Sequence, residues 1–214
     1  METALDLGAP GPDNAYGAGR VRATLDAPVI TPRHPVPGAA VRGVVIARVE
    51  VVSPVPVAGS GMALNGRPLV SRVGRGIPAA RLDTRALPDG VHRLLVSVRD
   101  MAGNVGTLRL PLRVDNTAPR VRVARVLPGR GPVAGRTRPV RLALRVDDRG
   151  STRPVEVSVR PLGRVGNART VRMRPGALRP VALGRLPVGR VAVRIEARDA
   201  AGNRHSVLRR VIIR

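Results

Sequence analysis

Hydrophobic and polar residues alternate along most of the chain with a period of two. Leu94, Val96 and Val98 fall on one side of a run whose other side carries Arg93, Leu95, Ser97 and Arg99. Successive side chains of a β-strand project to opposite faces. Such a run therefore predicts a strand with an apolar row facing a core and a solvated row outside. Leu108, Leu110, Leu112 and Val114 repeat the pattern, interleaved with Arg109, Pro111 and Arg113. So do Val140, Leu142, Leu144 and Val146, then Val155, Val157 and Val159, then Val193, Ile195 and Ala197 against Arg194, Glu196 and Arg198. No run sustains a helical period beyond two turns, so the expected class is all-β. Pro111, on the outward row, predicts an edge strand or a bulge, because proline has no N–H to give a ladder.

A phrase written twice punctuates this alternation. Residues 87–104 read LPDGVHRLLVSVRDMAGN, and residues 186–203 read LPVGRVAVRIEARDAAGN, without a gap. A repeat of this length predicts tandem modules. Leu87-Pro88-Asp89-Gly90 suits a type I turn, with proline second and glycine fourth, and Leu186-Pro187-Val188-Gly189 repeats it. Asp100, Gly103 and Asn104, and likewise Asp199, Gly202 and Asn203, sit where one strand ends and the next begins. There the aspartate can cap the turn and the glycine can supply a positive φ. Asp115-Asn116-Thr117-Ala118-Pro119 joins the copies, and Asp26-Ala27-Pro28 looks like a worn version of it. The expected organisation is an irregular or partly helical, poorly ordered segment over 1–25, then two antiparallel β-sandwiches over 26–114 and 115–214.

Composition narrows the chemistry. The chain has 214 residues, no cysteine and one tyrosine as its only aromatic residue. Disulfides, thiolate metal sites and thiol nucleophiles are therefore excluded. No apolar stretch approaches the roughly 18 residues of a helical membrane span. The N-terminus lacks the basic-then-apolar pattern of a signal peptide, so an exported protein would need its export signal elsewhere. The net charge is +24, and every basic residue is arginine. Arg, Ala, Gly, Pro and Val have GC-rich codons, so a high-GC genome accounts for much of this arginine.

VDNTAP at 114–119, together with the L-P-D-G and D-x-A-G-N phrases, resembles bacterial immunoglobulin-like repeats. The resemblance covers most of both copies and is weakest over Gly129 to Arg138. It implies tandem Ig-like sandwiches that are extracellular or on the cell surface, serving as spacers, adhesin segments or accessory modules. The Cys–Trp–Cys pin of antibody domains is absent, so only the architecture carries over. The N-terminal segment resembles the closing phrase of the catalytic domain of subtilisin-like serine peptidases. The residues are Asp6, Leu7, Gly8, Pro10, Gly11, Asp13, Asn14, Tyr16, Gly17, Gly19 and Val21, with Arg22 departing from the usual Asp or Asn. That resemblance implies that the chain is the C-terminal part of a secreted peptidase whose catalytic segments lie upstream.

No catalytic set is expected within the chain itself. Gly59-Ser60-Gly61-Met62-Ala63 is superficially similar to the peptidase nucleophile phrase, but glycine occupies the nucleophile's place and a strand-and-hairpin pattern follows. His92 falls on an inward strand row at the position of Val191, and no two histidines have metal-site spacing. Calcium is the one ion to consider. Asp100 and Asp115 are candidates near the linker, and Asp147-Asp148 is the densest acidic pair. Excess positive charge implies nonspecific contact with polyanions at low salt. Specific nucleic-acid recognition is not expected without aromatics for stacking or a recognition helix. The arginines occupy alternate strand positions, the pattern of solvated faces that also discourage strand pairing. The expected partners are a cell-envelope or extracellular polymer, or a catalytic domain in the same polypeptide.

Overall fold

The computed structural model describes residues 26–73, 79–131, 135–163 and 166–214. The peptidase-like segment over 1–25 lies outside the described residues. Eight strands come first: β1 (Val29–His34), β2 (Ala40–Val41), β3 (Val44–Val52), β4 (Val57–Leu64), β5 (Arg67–Val73), β6 (Ala79–Asp83), β7 (Gly90–Asp100) and β8 (Val105–Val114). Seven follow: β9 (Arg120–Pro128), β10 (Thr137–Asp147), β11 (Val155–Pro161), β12 (Arg169–Met173), β13 (Leu178–Pro187), β14 (Gly189–Arg198) and β15 (Arg204–Ile213). The first eight make sheets of order β1-β3-β6 and β2-β8-β7-β4-β5, and the last seven make sheets of order β13-β10-β9 and β12-β11-β14-β15. Substituting β9, β10 and β13 for β1, β3 and β6, and β11, β12, β14 and β15 for β4, β5, β7 and β8, turns the first set into the second, except that β2 has no counterpart among the described residues. The fold is all-β, two tandem Ig-like β-sandwiches, with no α-helix among the described residues. β10 pairs antiparallel with β9 and β13, β11 with β12 and β14, β14 with β15, and β4 with β5 and β7, while the two-residue β2 runs parallel to the end of β8.

By compactness the chain forms two units. One holds the described residues of 1–33, 48–80 and 94–109, and the other those of 34–47, 81–93 and 110–214. In the first unit β4 pairs on one flank with β5 and on the other with β7. Met62 faces Val96, and Leu64 faces Leu94. Met62, Leu94, Val96 and Val98 are buried, as the alternation along β7 requires. Asn65 and Gly66 make the two-residue β4–β5 turn with φ of 50° and 82°. Both central residues of such a hairpin need positive φ, which asparagine and glycine tolerate best.

In the second unit β10 and β14 are the central strands. Leu142, Leu144 and Val146 of β10 meet Val193, Ile195 and Ala197 of β14 in one core with Val155, Val157 and Val159 of β11 and Leu183 and Leu186 of β13. Full burial of each large aliphatic side chain is worth about 1.5–3 kcal/mol. Ala143, on the other row of β10, is also buried, so the alternation there is not strictly in and out.

The L-P-x-G phrases do something the turn reading did not anticipate. Leu186-Pro187-Val188-Gly189 carries the chain from β13 to β14, which belong to different sheets. Leu87-Pro88-Asp89-Gly90 likewise leads from a short 3-10 turn (Thr84–Ala86) after β6 into β7. The phrase is therefore an inter-sheet crossover, not a hairpin. In the first copy His92, nearly buried, closes the crossover through Nε2 to Pro88 O at 2.9 Å. Pro111 lies on β8 where the short β2 does not reach, since β2 pairs only with Arg113 and Val114.

Candidate metal centre

The D-x-A-G-N loops build the site. Asp199 N–H donates to Asn203 O at 3.2 Å, and Gly202 N–H donates back to Asp199 O at 3.2 Å. The Asp199 carboxylate accepts from Asn203 N–H at 2.8 Å and from Asn203 Nδ2 at 2.8 Å. The side chains of Asp199 and Asn203 thus close a five-residue loop, with Gly202 at a φ of 88°. Asn203 also reaches outward: its Nδ2 lies 2.9 Å from Asp115 O and 3.2 Å from Thr117 O. One buried amide therefore ties the loop to the segment that follows β8.

That segment is held from its other side as well. Asp115 N–H donates to Val41 O at 2.9 Å, continuing the β2–β8 pairing. Asn116 N–H donates to Asp89 Oδ1 at 2.6 Å, and Asn116 Nδ2 donates to Thr84 O at 2.7 Å. Asn116 Oδ1 accepts from Gly43 N–H at 3.0 Å and from the Thr84 hydroxyl at 3.2 Å. The Thr117 hydroxyl donates to Asp89 Oδ2. Hydrogen bonds on both sides thus hold Asp115, Asn116 and Thr117 in place, and one buried atom of the segment stands out.

It belongs to the Asp115 carboxylate, whose Oδ1 lies 3.5 Å from Asn203 Nδ2. Asp115 is fully buried, and its Oδ2 has no hydrogen-bond partner. Its carboxylate lies with those of Asp148 and Asp199 in a group whose oxygens are all within 4.8 Å of one another. Asp148, in the loop after β10, is half-buried, and its Oδ2 is also buried without a partner. Gly150 is what allows this closeness, because a Cβ there would stand 2.3 Å from Asp115 Oδ1 and 3.2 Å from Asp89 Oδ2. Burial, and then the neighbouring charges of Asp199, Asp148 and Asp89, push the Asp115 carboxyl up to about 6. Burial raises Asp148 too, against a Gly150 N–H that donates to its Oδ1 at 3.2 Å.

Arginine does not neutralise the group. Among the described residues, ion pairs reach Glu50, Asp83 and Asp147, and none reaches Asp115, Asp148 or Asp199. The Arg113 guanidinium donates instead to Gly150 O at 3.3 Å, and its Nε is buried without a partner among the described residues.

The four aspartates proposed from sequence thus divide. Asp115 and Asp148 converge. Asp147, one residue earlier on β10, turns to Arg122 at 2.7 Å and Arg145 at 3.3 Å. Asp100 closes the first D-x-A-G-N loop, accepting from Asn104 N–H at 2.8 Å and Asn104 Nδ2 at 3.1 Å. Asp199 was legible only as a turn cap, and Asp89 only as a turn residue. Ser60 lies in the middle of β4, paired with Val98 across the sheet, rather than at the start of a helix.

A second feature is a cleft of about 970 Å³ in the second unit, beside the edge strands β9 and β15. Arg122, Arg125, Arg138, Arg209, Arg210 and Arg214 surround an apolar floor that includes Val123, Val211 and Ile213. No Asp or Glu is among the lining residues, although Arg122 also pairs with Asp147 at 2.7 Å. The strand pattern had suggested dispersed arginines, but β9, β10 and β15, from two sheets, bring these six together.

No family model matches the chain, and no curated protein matches it. Among solved structures it is similar to the fibronectin(III)-like modules of Clostridium thermocellum CbhA, with a TM-score of 0.53 and 15% identity over 86% of this chain and 94% of that one. A 1.5-MDa bacterial ice-binding adhesin matches at a TM-score of 0.46 and 17% identity, over 88% of this chain and 65% of that one. The D00-D0 domain of intimin matches at 0.32 and 14%, over 86% and 99%. The first likeness is one of fold; the other two are too distant to add to it.

Proposed function

We propose that the chain is a non-catalytic, extracellular pair of Ig-like modules, 26–114 and 115–214, acting as a spacer or attachment arm. In this reading it is the C-terminal accessory region of a secreted subtilisin-like peptidase. The observation that carries the non-catalytic part is how the polar residues are used. Asp100, Asn104, Asp199 and Asn203 close loops, His92 binds the Pro88 carbonyl, and Asn116 holds the linker. A nucleophile needs a base and an orienting acid within hydrogen-bond reach, whereas Ser60 lies mid-strand in β4 opposite Val98 and His92 holds the Pro88 carbonyl. The peptidase link is supported by the phrase from Asp6 to Val21 alone.

Two measurements test this. The purified 214-residue chain should not cleave casein or a fluorogenic peptide, and turnover by it would overturn the non-catalytic reading. In-frame DNA upstream of Met1 should encode the peptidase Asp, His and Ser motifs; an in-frame stop codon immediately upstream would sink the peptidase link.

The arginine cleft favours a second reading, a module that binds an anionic polymer of the cell envelope. Phosphate or carboxylate polymers gain affinity by displacing counterions, so binding falls steeply with salt unless contacts are local and shaped. Binding of heparin or teichoic acid should weaken when Arg125, Arg138, Arg209 and Arg210 are changed to Ala. Changing four arginines elsewhere, Arg160, Arg169, Arg172 and Arg194, should have little effect. Equal loss in both sets would reduce the cleft to general charge.

A further inference from the structure

We infer that Asp115, Asp148 and Asp199 form a binding site for one divalent cation of the calcium type. Three carboxylates within 4.8 Å of one another do not by themselves make a site. The independent pointer is Asp115, fully buried with its Oδ2 lacking any partner among the described residues. Burying a carboxylate oxygen unpaired is costly, and nearby acids increase the cost. In a chain with 38 arginines, neutralisation by a guanidinium would be the easy solution, yet among the described residues none of the three acids has one. A positive charge that fits among oxygens, and that is not a side chain, satisfies both facts.

The donor set selects the ion. It is oxygen only, with no histidine or cysteine, which suits hard cations rather than zinc or copper. Calcium takes six to eight oxygens in flexible geometry and accepts bidentate carboxylates and carbonyls. Asp89 Oδ2 lies close to the Gly150 position and can serve as an outer acid, already oriented by Thr117 and Asn116. Magnesium demands a stricter octahedron and keeps its waters, so the crowded group around Gly150 favours the larger ion. Each ligand comes from a different segment: the end of β8, the loop after β10 and the loop after β14. A cation there would crosslink segments far apart in sequence. This inference stands apart from the spacer reading and from any peptidase link.

The test is calorimetric titration of the metal-stripped 214-residue chain with calcium chloride at pH 7.5, alongside thermal unfolding. The expected result is one saturable site with half-saturation near or below about 1 mM, the range of extracellular calcium modules. The melting temperature should rise by roughly 4–8 °C at saturation. Asp148→Asn should weaken binding at least tenfold, whereas Asp147→Asn, next to it but paired with Arg122 and Arg145, should leave it unchanged. Asp199→Asn is the second variant should Asp148→Asn fail to fold. No saturable heat and no thermal shift for the parent chain would overturn the proposal. So would Asp147→Asn matching Asp148→Asn, or magnesium binding as tightly as calcium.

Discussion

The two D-x-A-G-N loops have the same internal design and different surroundings. In both, the aspartate N–H donates to the asparagine carbonyl and the carboxylate accepts the asparagine N–H at 2.8 Å, and both glycines have a φ of 88°. Asn104 spends its side chain on Asp100 alone, at 3.1 Å. Asn203 reaches Asp199 and two carbonyls of the linker. Around Asp199 stand Asp115 and Asp148; the loop after β3, Ser53 to Pro56, which holds the place corresponding to Asp148's loop, contains no carboxylate. The duplicated phrase therefore specifies a loop, and its neighbours decide whether that loop is only structure or part of a charged site.

The largest expected contrast is in pH dependence. Asp115, raised to about 6 in the folded chain, binds a proton more readily folded than unfolded. Folding then takes up a proton between roughly pH 4 and 6, so this group's stabilisation is present at the acid end and lost as pH rises through about 6. The metal-free chain should lose at most about 3 kcal/mol on this account between pH 4.5 and 7.5. Urea unfolding in chelator at several pH values checks it, and Asp115→Asn should flatten the profile. Asp100→Asn, in the first loop, should not.

The asparagines sharpen the comparison next. Asn203→Ala strips a buried donor from several acceptors and should cost about 2 kcal/mol more than Asn104→Ala, by chemical denaturation. Equal costs would mean that the linker contacts contribute nothing. Gly150→Ala should destabilise by about 1–2 kcal/mol, because its Cβ would collide with Asp115 Oδ1 and the acids would have to separate. Asp147→Asn should change stability by under about 0.5 kcal/mol, since its arginine pairs are at the surface.

The contrast also explains what the sequence could reveal. Alternation along Leu94-Val96-Val98 and Val193-Ile195-Ala197 names the inward rows because strand periodicity is local. The Asn65-Gly66 turn is legible for the same reason. L-P-x-G reads only as a turn, because a crossover and a turn demand similar residues, and the sheet order alone shows which strands it joins. Asp115 and Asp199 come together across a whole module, with Asp148 supplied from between them. The Asp147-Asp148 doublet marks acidic density, but adjacent residues leave a strand end in different directions, and only the second reaches the group. The arginine cleft is hidden likewise, since β9 and β15 are the first and last strands of their module.

Residue-resolved amide hydrogen exchange on the metal-stripped chain, with and without calcium, tests the central claim most directly. The account predicts that calcium slows exchange at Asn203, Gly150 and Asn116 and leaves Asn104 and Gly103 in the first loop unchanged. Equal slowing in both loops, or none in the second, would contradict it.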